Sequence, residues 1–99
     1  MTHAPLTADT ALALAIIVTA ARSGARVARA VDDGDIIYGT ARSIGDYYGA
    51  FAAGSDDIRD CYLRVTIDTG WEAFWPMSEI VDAVQAGLFL VNPVRGAAA

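Results

Sequence analysis

Few side chains in this sequence have the type and spacing to do chemistry, and each invites a specific test. Asp32, Asp33 and Asp35 are close enough in sequence to suggest a site for a hard cation. An EF-hand loop begun at Asp32 would need glycine at its sixth position and glutamate at its twelfth, where the chain has Ile37 and Ser43. A solvated turn accounts for the three carboxylates better. His3 and Cys61, the single residues of their kinds, cannot supply the four ligands of a structural zinc site, and no metal or other cofactor is implied. Gly45, Gly49 and Gly54 are spaced loosely like a phosphate loop, but the completing Lys-Ser or Lys-Thr is missing, since the chain has no Lys. His3 stands in a loose N-terminal stretch around which no Ser-His-Asp arrangement can be built. Cys61 falls on the inward side of an alternating segment, where a thiol acts as a small core hydrophobe rather than as a nucleophile.

One further motif has catalytic form. Val65-Thr66-Ile67-Asp68-Thr69-Gly70 resembles the hydrophobic-hydrophobic-Asp-Thr-Gly motif of aspartic proteases, whose retroviral members are homodimers of similar length. The resemblance implies a carboxylate at Asp68 sharing a proton with its symmetry mate. Chain position speaks against it. That family places the motif in the first third of the chain, follows it with a small residue, and needs a flap hairpin downstream. Here Trp71 follows at once, and 29 residues remain after Gly70. Asp-Thr-Gly is also ordinary turn chemistry. The chain is therefore read as a non-enzyme with no catalytic residue.

The elements that position these residues are legible to different degrees. Residues 7–23 read as a helix, with Thr7 as N-cap, Asp9 in the first turn, Arg22 in the last and Gly24 as the stop. Leu12 and Ile16 fall on one side and Leu14 and Val18 nearly opposite, so the helix lacks a wet face. One small sheet can cover only one side. The preferred reading covers the Leu14 and Val18 side with the same helix of a second copy, a homodimer; the alternative covers it with the chain's own loops or last strand.

Residues 26–31 and 36–44 flank an Asp33-Gly34 hairpin turn that predicts Val31 opposite Ile36 and Arg29 opposite Tyr38, with Ala28, Ala30, Ile37, Gly39 and Ala41 on the other side. In a rival reading the helix continues through Val31 and lines up Arg22, Arg26 and Arg29, at a cost of about 1 kcal/mol for Gly24. The second hairpin is better determined. Residues 61–67 alternate with period two, and a three-residue Asp68-Thr69-Gly70 loop pairs Ile67 with Trp71, Val65 with Ala73 and Leu63 with Trp75. Tyr62, Arg64, Thr66, Glu72 and Phe74 then share the outer side, where Arg64 can stack on Phe74 and reach Glu72. Pro76 ends the strand, Ser78 caps a helix over 79–86, and 88–91 reads as a buried last strand.

The predicted fold is a single α+β domain over 1–99: an N-terminal apolar helix on a small, strongly bent antiparallel sheet or barrel of about five strands, with a short helix before the last. Residues 1–6 and 94–99 have nothing to bury and are expected to fray. The order of elements over 26–91 resembles that of SH3-like small barrels, a resemblance that brings no function with it.

Composition bounds the partner. The 99 residues are 55% hydrophobic and 19% charged, enough for one core without disulfides. All seven basic residues are Arg, a usage that looks like that of a GC-rich bacterial genome or its phage. A net charge of −5 opposes phosphate neutralisation, which dominates nucleic-acid affinity, and suits a basic protein partner instead. The apolar run over 11–21 is too short to span a bilayer, and a lone Cys fits a reducing compartment, so a cytoplasmic protein is expected.

A long loop over 45–57 brings together Tyr47, Tyr48 and Phe51, rings that serve as binding anchors or close one end of the core. The expectation is a small acidic regulatory or interaction module, homodimeric through Leu14 and Val18, that binds another protein through Tyr47, Tyr48, Phe51, Arg64 and Phe74. Two alternatives stand beside it: a small-barrel nucleic-acid binder using Arg and aromatic side chains, and an inhibitor or immunity-type protein that neutralises a basic partner.

Overall fold

The computed structural model describes residues 6–31, 33–46 and 58–93. Its elements run α1 (Ala8–Ser23), β1 (Arg26–Ala30), β2 (Ile36–Asp46), a 3-10 turn (Ile58–Asp60), β3 (Cys61–Ile67), β4 (Glu72–Pro76), α2 (Met77–Gln85) and β5 (Phe89–Val91). The strands form one antiparallel sheet in the order β4-β3-β2-β1-β5. The fold is α+β, and the sheet is open rather than closed into a barrel: β4 and β5 are its two edges, and α2 carries the chain from one to the other. Among the described residues no helix is long and apolar enough to cross a membrane.

The ends of α1 are those the sequence marks. Thr7 Oγ1 accepts the Thr10 N–H at 3.1 Å, and Gly24 takes the left-handed conformation at φ 62°. Ala25 N–H then donates to Ala20 O and Gly24 N–H to Ala21 O, satisfying carbonyls that the helix leaves open. The rival reading, with the helix continued through Val31, is thereby excluded. In α2 the same closure recurs, from Leu88 N–H to Ala83 O at 2.7 Å and from Gly87 N–H to Val84 O at 3.2 Å. Its start differs from expectation: the helix begins at Met77, directly after Pro76, and no side chain caps it, so Ser78 lies inside its first turn. Pro76 itself occupies the capping position, at φ −56° and ψ 135°, and its side chain has no acceptor to offer the first turn.

Both hairpins close alike. Ile67 N–H donates to Trp71 O and Gly70 N–H to Ile67 O, with Gly70 at φ 99°. Val31 N–H donates to Asp35 O and Gly34 N–H to Val31 O, with Gly34 at φ 89°. For β3 and β4 this is the predicted register, with Leu63 opposite Trp75 and Val65 opposite Ala73. For β1 and β2 the predicted two-residue turn is off by one: Arg29 opposes Ile37, and Ala28 opposes Tyr38. A one-residue slip turns a strand over. Val27 and Arg29, not Ala28 and Ala30, therefore share a side with Ile37, Gly39 and Ala41. The reason is visible in the core, where Val27 is wholly buried; the predicted register would have put it on the uncovered side.

Ile17, Val27, Leu63, Val65, Met77 and Ile80 are fully buried in a core between the helices and one face of the sheet. Leu14 belongs to it as well, at 6% exposure, so its assignment to a dimer contact is corrected: its own chain covers it. Val18 is half-buried and lines a groove with Ile44 and Ile58. The side of α1 turned away from the core is the other one, carrying Leu12 at 62% exposure with Ala11 and Ala15. The last strand is likewise not buried throughout: Phe89 points into the core, while Leu88 and Leu90 are exposed, as an edge strand with one open face requires.

Candidate functional site on the open face of the sheet

Antiparallel pairing fixes which side chains share a face. With Leu63, Val65, Trp75 and Val27 turned toward the helices, the opposite face carries Tyr62, Arg64 and Thr66 of β3 and Glu72 and Phe74 of β4. The register continues this face through Thr40 of β2, opposite Thr66, and Arg26 of β1, opposite Thr40. Arg42, next to the wholly buried Ala41, alternates onto this face and bonds to Thr66; the pairing shift between Ala41 and Ser43 then sets Ser43 opposite Arg64 and Ile44 opposite Leu63.

The polar groups of this face form two short networks. Arg42 Nε donates to Thr66 Oγ1 at 3.0 Å, and the same hydroxyl donates to Glu72 Oε1 at 2.8 Å. The other carboxylate oxygen, Oε2, lies 3.9 Å from Arg64 Nε, an ion-pair distance rather than a hydrogen bond. Further along, Arg26 holds the Asp68 carboxylate in a two-pronged pair at 2.7 and 2.8 Å and also donates to Thr40 Oγ1 at 3.1 Å. Three of the seven Arg thus face the same way, against two carboxylates, in a chain of net charge −5.

Arg64 and Phe74 are brought together as expected, directly opposite each other on neighbouring strands. Phe74 is 51% exposed, and the ring beside it is that of Tyr62, edge-on at 5.2 Å and 84°. The guanidinium poised over a ring is another one: Arg29 sits 5.2 Å above Trp75 on the helix-facing side and reaches Glu79 at 3.1 Å. Trp71 flanks the β4 edge, largely exposed. Tyr47, Tyr48 and Phe51 lie outside the described residues.

Asp68, the residue with protease-like form, is in the hairpin turn and bound to Arg26, an arrangement that serves sheet geometry. Cys61 is buried in the core. Among the described residues no three His, Cys, Asp or Glu side chains converge as metal ligands.

Sequence reasoning missed Arg26, Arg42 and Thr40 as members of this face. The signal for Arg26 was the register of the first hairpin, which Asp33-Gly34 leaves ambiguous; Thr40 and Arg42 alternate with Ile37, Gly39 and Ala41, so their side was legible, and what was missing was which face of the second hairpin it continues. Comparison with protein-family profiles, with curated proteins and with solved structures returned no match.

Proposed function

We propose that this chain is a non-enzymatic interaction module that holds another protein on the open face of its sheet, around Tyr62, Arg64, Glu72 and Phe74. One observation carries the reading: both helices pack on one face, and the other presents a half-exposed phenyl ring flanked by a guanidinium and a second ring. Aromatic and Arg side chains dominate the energy of protein contacts: rings bury much area with few rotatable bonds, and a planar guanidinium stacks on them while still donating hydrogen bonds. Tyr47, Tyr48 and Phe51 belong to the same proposal as further anchors. Self-association belongs to it too, moved from Leu14 and Val18 to the side of α1 that carries Leu12.

The test is a quantitative pull-down from lysate of the source organism with wild-type protein and the Arg64→Ala/Phe74→Ala double variant as baits. At least one protein should be enriched on the wild type and lost on the variant, whose thermal stability stays close to wild type because both side chains are exposed. Equal enrichment on the two baits overturns the reading.

A second reading rests on the alignment of Arg26, Arg42 and Arg64 beside Tyr62 and Phe74, a combination that suits stacked bases and a phosphate backbone. The net charge and the carboxylates of Asp68 and Glu72 oppose it. Anisotropy titrations with single- and double-stranded oligonucleotides across a salt series separate the two: binding that weakens steeply with salt favours nucleic acid, and none at micromolar protein removes it.

A further inference from the structure

At the end of the sheet remote from Arg64 and Phe74, the open face changes character. Ile36, Leu88 and Leu90 are each about half exposed there, around the small side chains of Ala28 and Ala30. Ala30 N–H donates to Leu88 O, so this apolar surface turns the end of β1 and continues into a groove of about 350 Å³ between Leu88, Val31 and the Ala83 and Ala86 side of α2. Isolated exposed leucines are unremarkable, but apolar residues contiguous across a strand end and into a groove mark contact surfaces.

Among the described residues, the charges around this surface that lack an opposite partner are all negative. Asp33 and Asp35 are exposed at the hairpin tip next to Val31, and Asp82 lines the groove from α2. None of the three has a cation within ion-pair distance among the described residues. The single cation lining the groove, Arg29, is engaged by Glu79 at 3.1 Å. The last turn of α2, which also ends here, contains no basic residue, although the negative end of a helix favours one.

We propose that this end of the sheet is the docking surface for a basic amphipathic segment of another protein, with aliphatic side chains seated on Ile36, Leu88 and Leu90 and Lys or Arg reaching Asp33, Asp35 and Asp82. The inference rests on the reading of the chain as an interaction module but uses a surface at the opposite corner from Arg64 and Phe74, and it assigns the partner's chemistry. A second copy of this chain is disfavoured by the same charges, which would face each other across a symmetric contact.

The experiment is an NMR titration of the full chain with three synthetic peptides of one pattern: Leu with Lys, Leu with Glu, and Ser with Lys. The Leu/Lys peptide should shift amides of residues 30–36 and 82–90 at one-to-one stoichiometry, and the other two should bind at least tenfold more weakly. Leu88→Ser/Leu90→Ser should weaken the Leu/Lys peptide tenfold or more, and Asp35→Asn/Asp82→Asn about threefold with a flatter salt dependence. Shifts spread over the whole surface, equal binding of the Leu/Glu peptide, unchanged binding by the Leu88/Leu90 variant, or concentration-dependent shifts at these amides without peptide would each overturn the proposal. Shifts confined to residues 62–74 would overturn it while leaving the Arg64 and Phe74 reading intact.

Discussion

Arg26 Nη1 and Nη2 meet Asp68 Oδ1 and Oδ2 at 2.7 and 2.8 Å, a fork-to-fork pair between residues 42 apart in sequence. It spans β2 and fastens β1 to the turn of the β3–β4 hairpin, so it reports the whole sheet rather than a local turn. Paired hydrogen bonds to a carboxylate add geometric constraint that a point charge lacks. The side chains are 44% and 23% exposed, which limits the energy. A double-mutant cycle of Arg26→Ala and Asp68→Ala in urea should give a coupling of about 0.5–1 kcal/mol that shrinks with added salt. Arg26→Lys should recover less than half of it. A coupling indistinguishable from zero would mean the pair does not fasten the sheet.

Gly39 of β2 lies against Val65, Thr66 and Ile67 of β3. A Cβ built there would meet Val65 Cγ1 at 2.6 Å, Thr66 O at 2.8 Å and Ile67 Cα at 3.1 Å. Two of these neighbours are backbone and cannot step aside. Gly39→Ala should therefore destabilise by about 1–3 kcal/mol. Gly45→Ala meets only the Tyr62 ring, at 3.2 Å and beyond, and should cost distinctly less. Urea unfolding of the two variants orders them; the reverse order contradicts this packing.

Cys61 is 1% exposed beneath the helices. A thiol so placed should fail to react with an aromatic disulfide reagent in native protein and react promptly in denaturant. Rapid native labelling would show that the strand opens on its own.

The two faces of α1 should separate stability from association. Ile17 is wholly buried, and Ile17→Ala should cost about 2–5 kcal/mol. Leu12→Glu lies on the outer side and should leave the stability of the monomer fold nearly unchanged, any fall in the unfolding midpoint being the concentration-dependent part due to association. If α1 pairs with a second copy, light scattering gives twice the chain mass for wild type and the single mass for Leu12→Glu. A wild-type monomer at high concentration ends the self-association proposal.

How far the sequence reached depended on whether a residue's own neighbours fixed its state. Helix ends and hairpin loops are local events: Thr7 and Gly24 bound α1, Gly70 closes the second hairpin, and each could be read directly. The register of that hairpin was legible because Leu63, Val65, Ala73 and Trp75 agree with only one pairing. The first hairpin offered no such agreement. Ala28 and Ala30 are small enough for either face, and Asp33-Gly34 fits two loop lengths.

The sequence by itself determined the element types, the second hairpin and the pairing of Arg64 with Phe74, because period-two alternation and turn residues act over a few positions. Only the tertiary structure decided that Val27 faces the helices, that α1 buries Leu14 and exposes Leu12, and that Arg26 joins the open face. Those outcomes depend on which surfaces compete for a single cover. A helix apolar on every side and a strand of alternating small residues do not state a preference, and it is set by the neighbours they pack against.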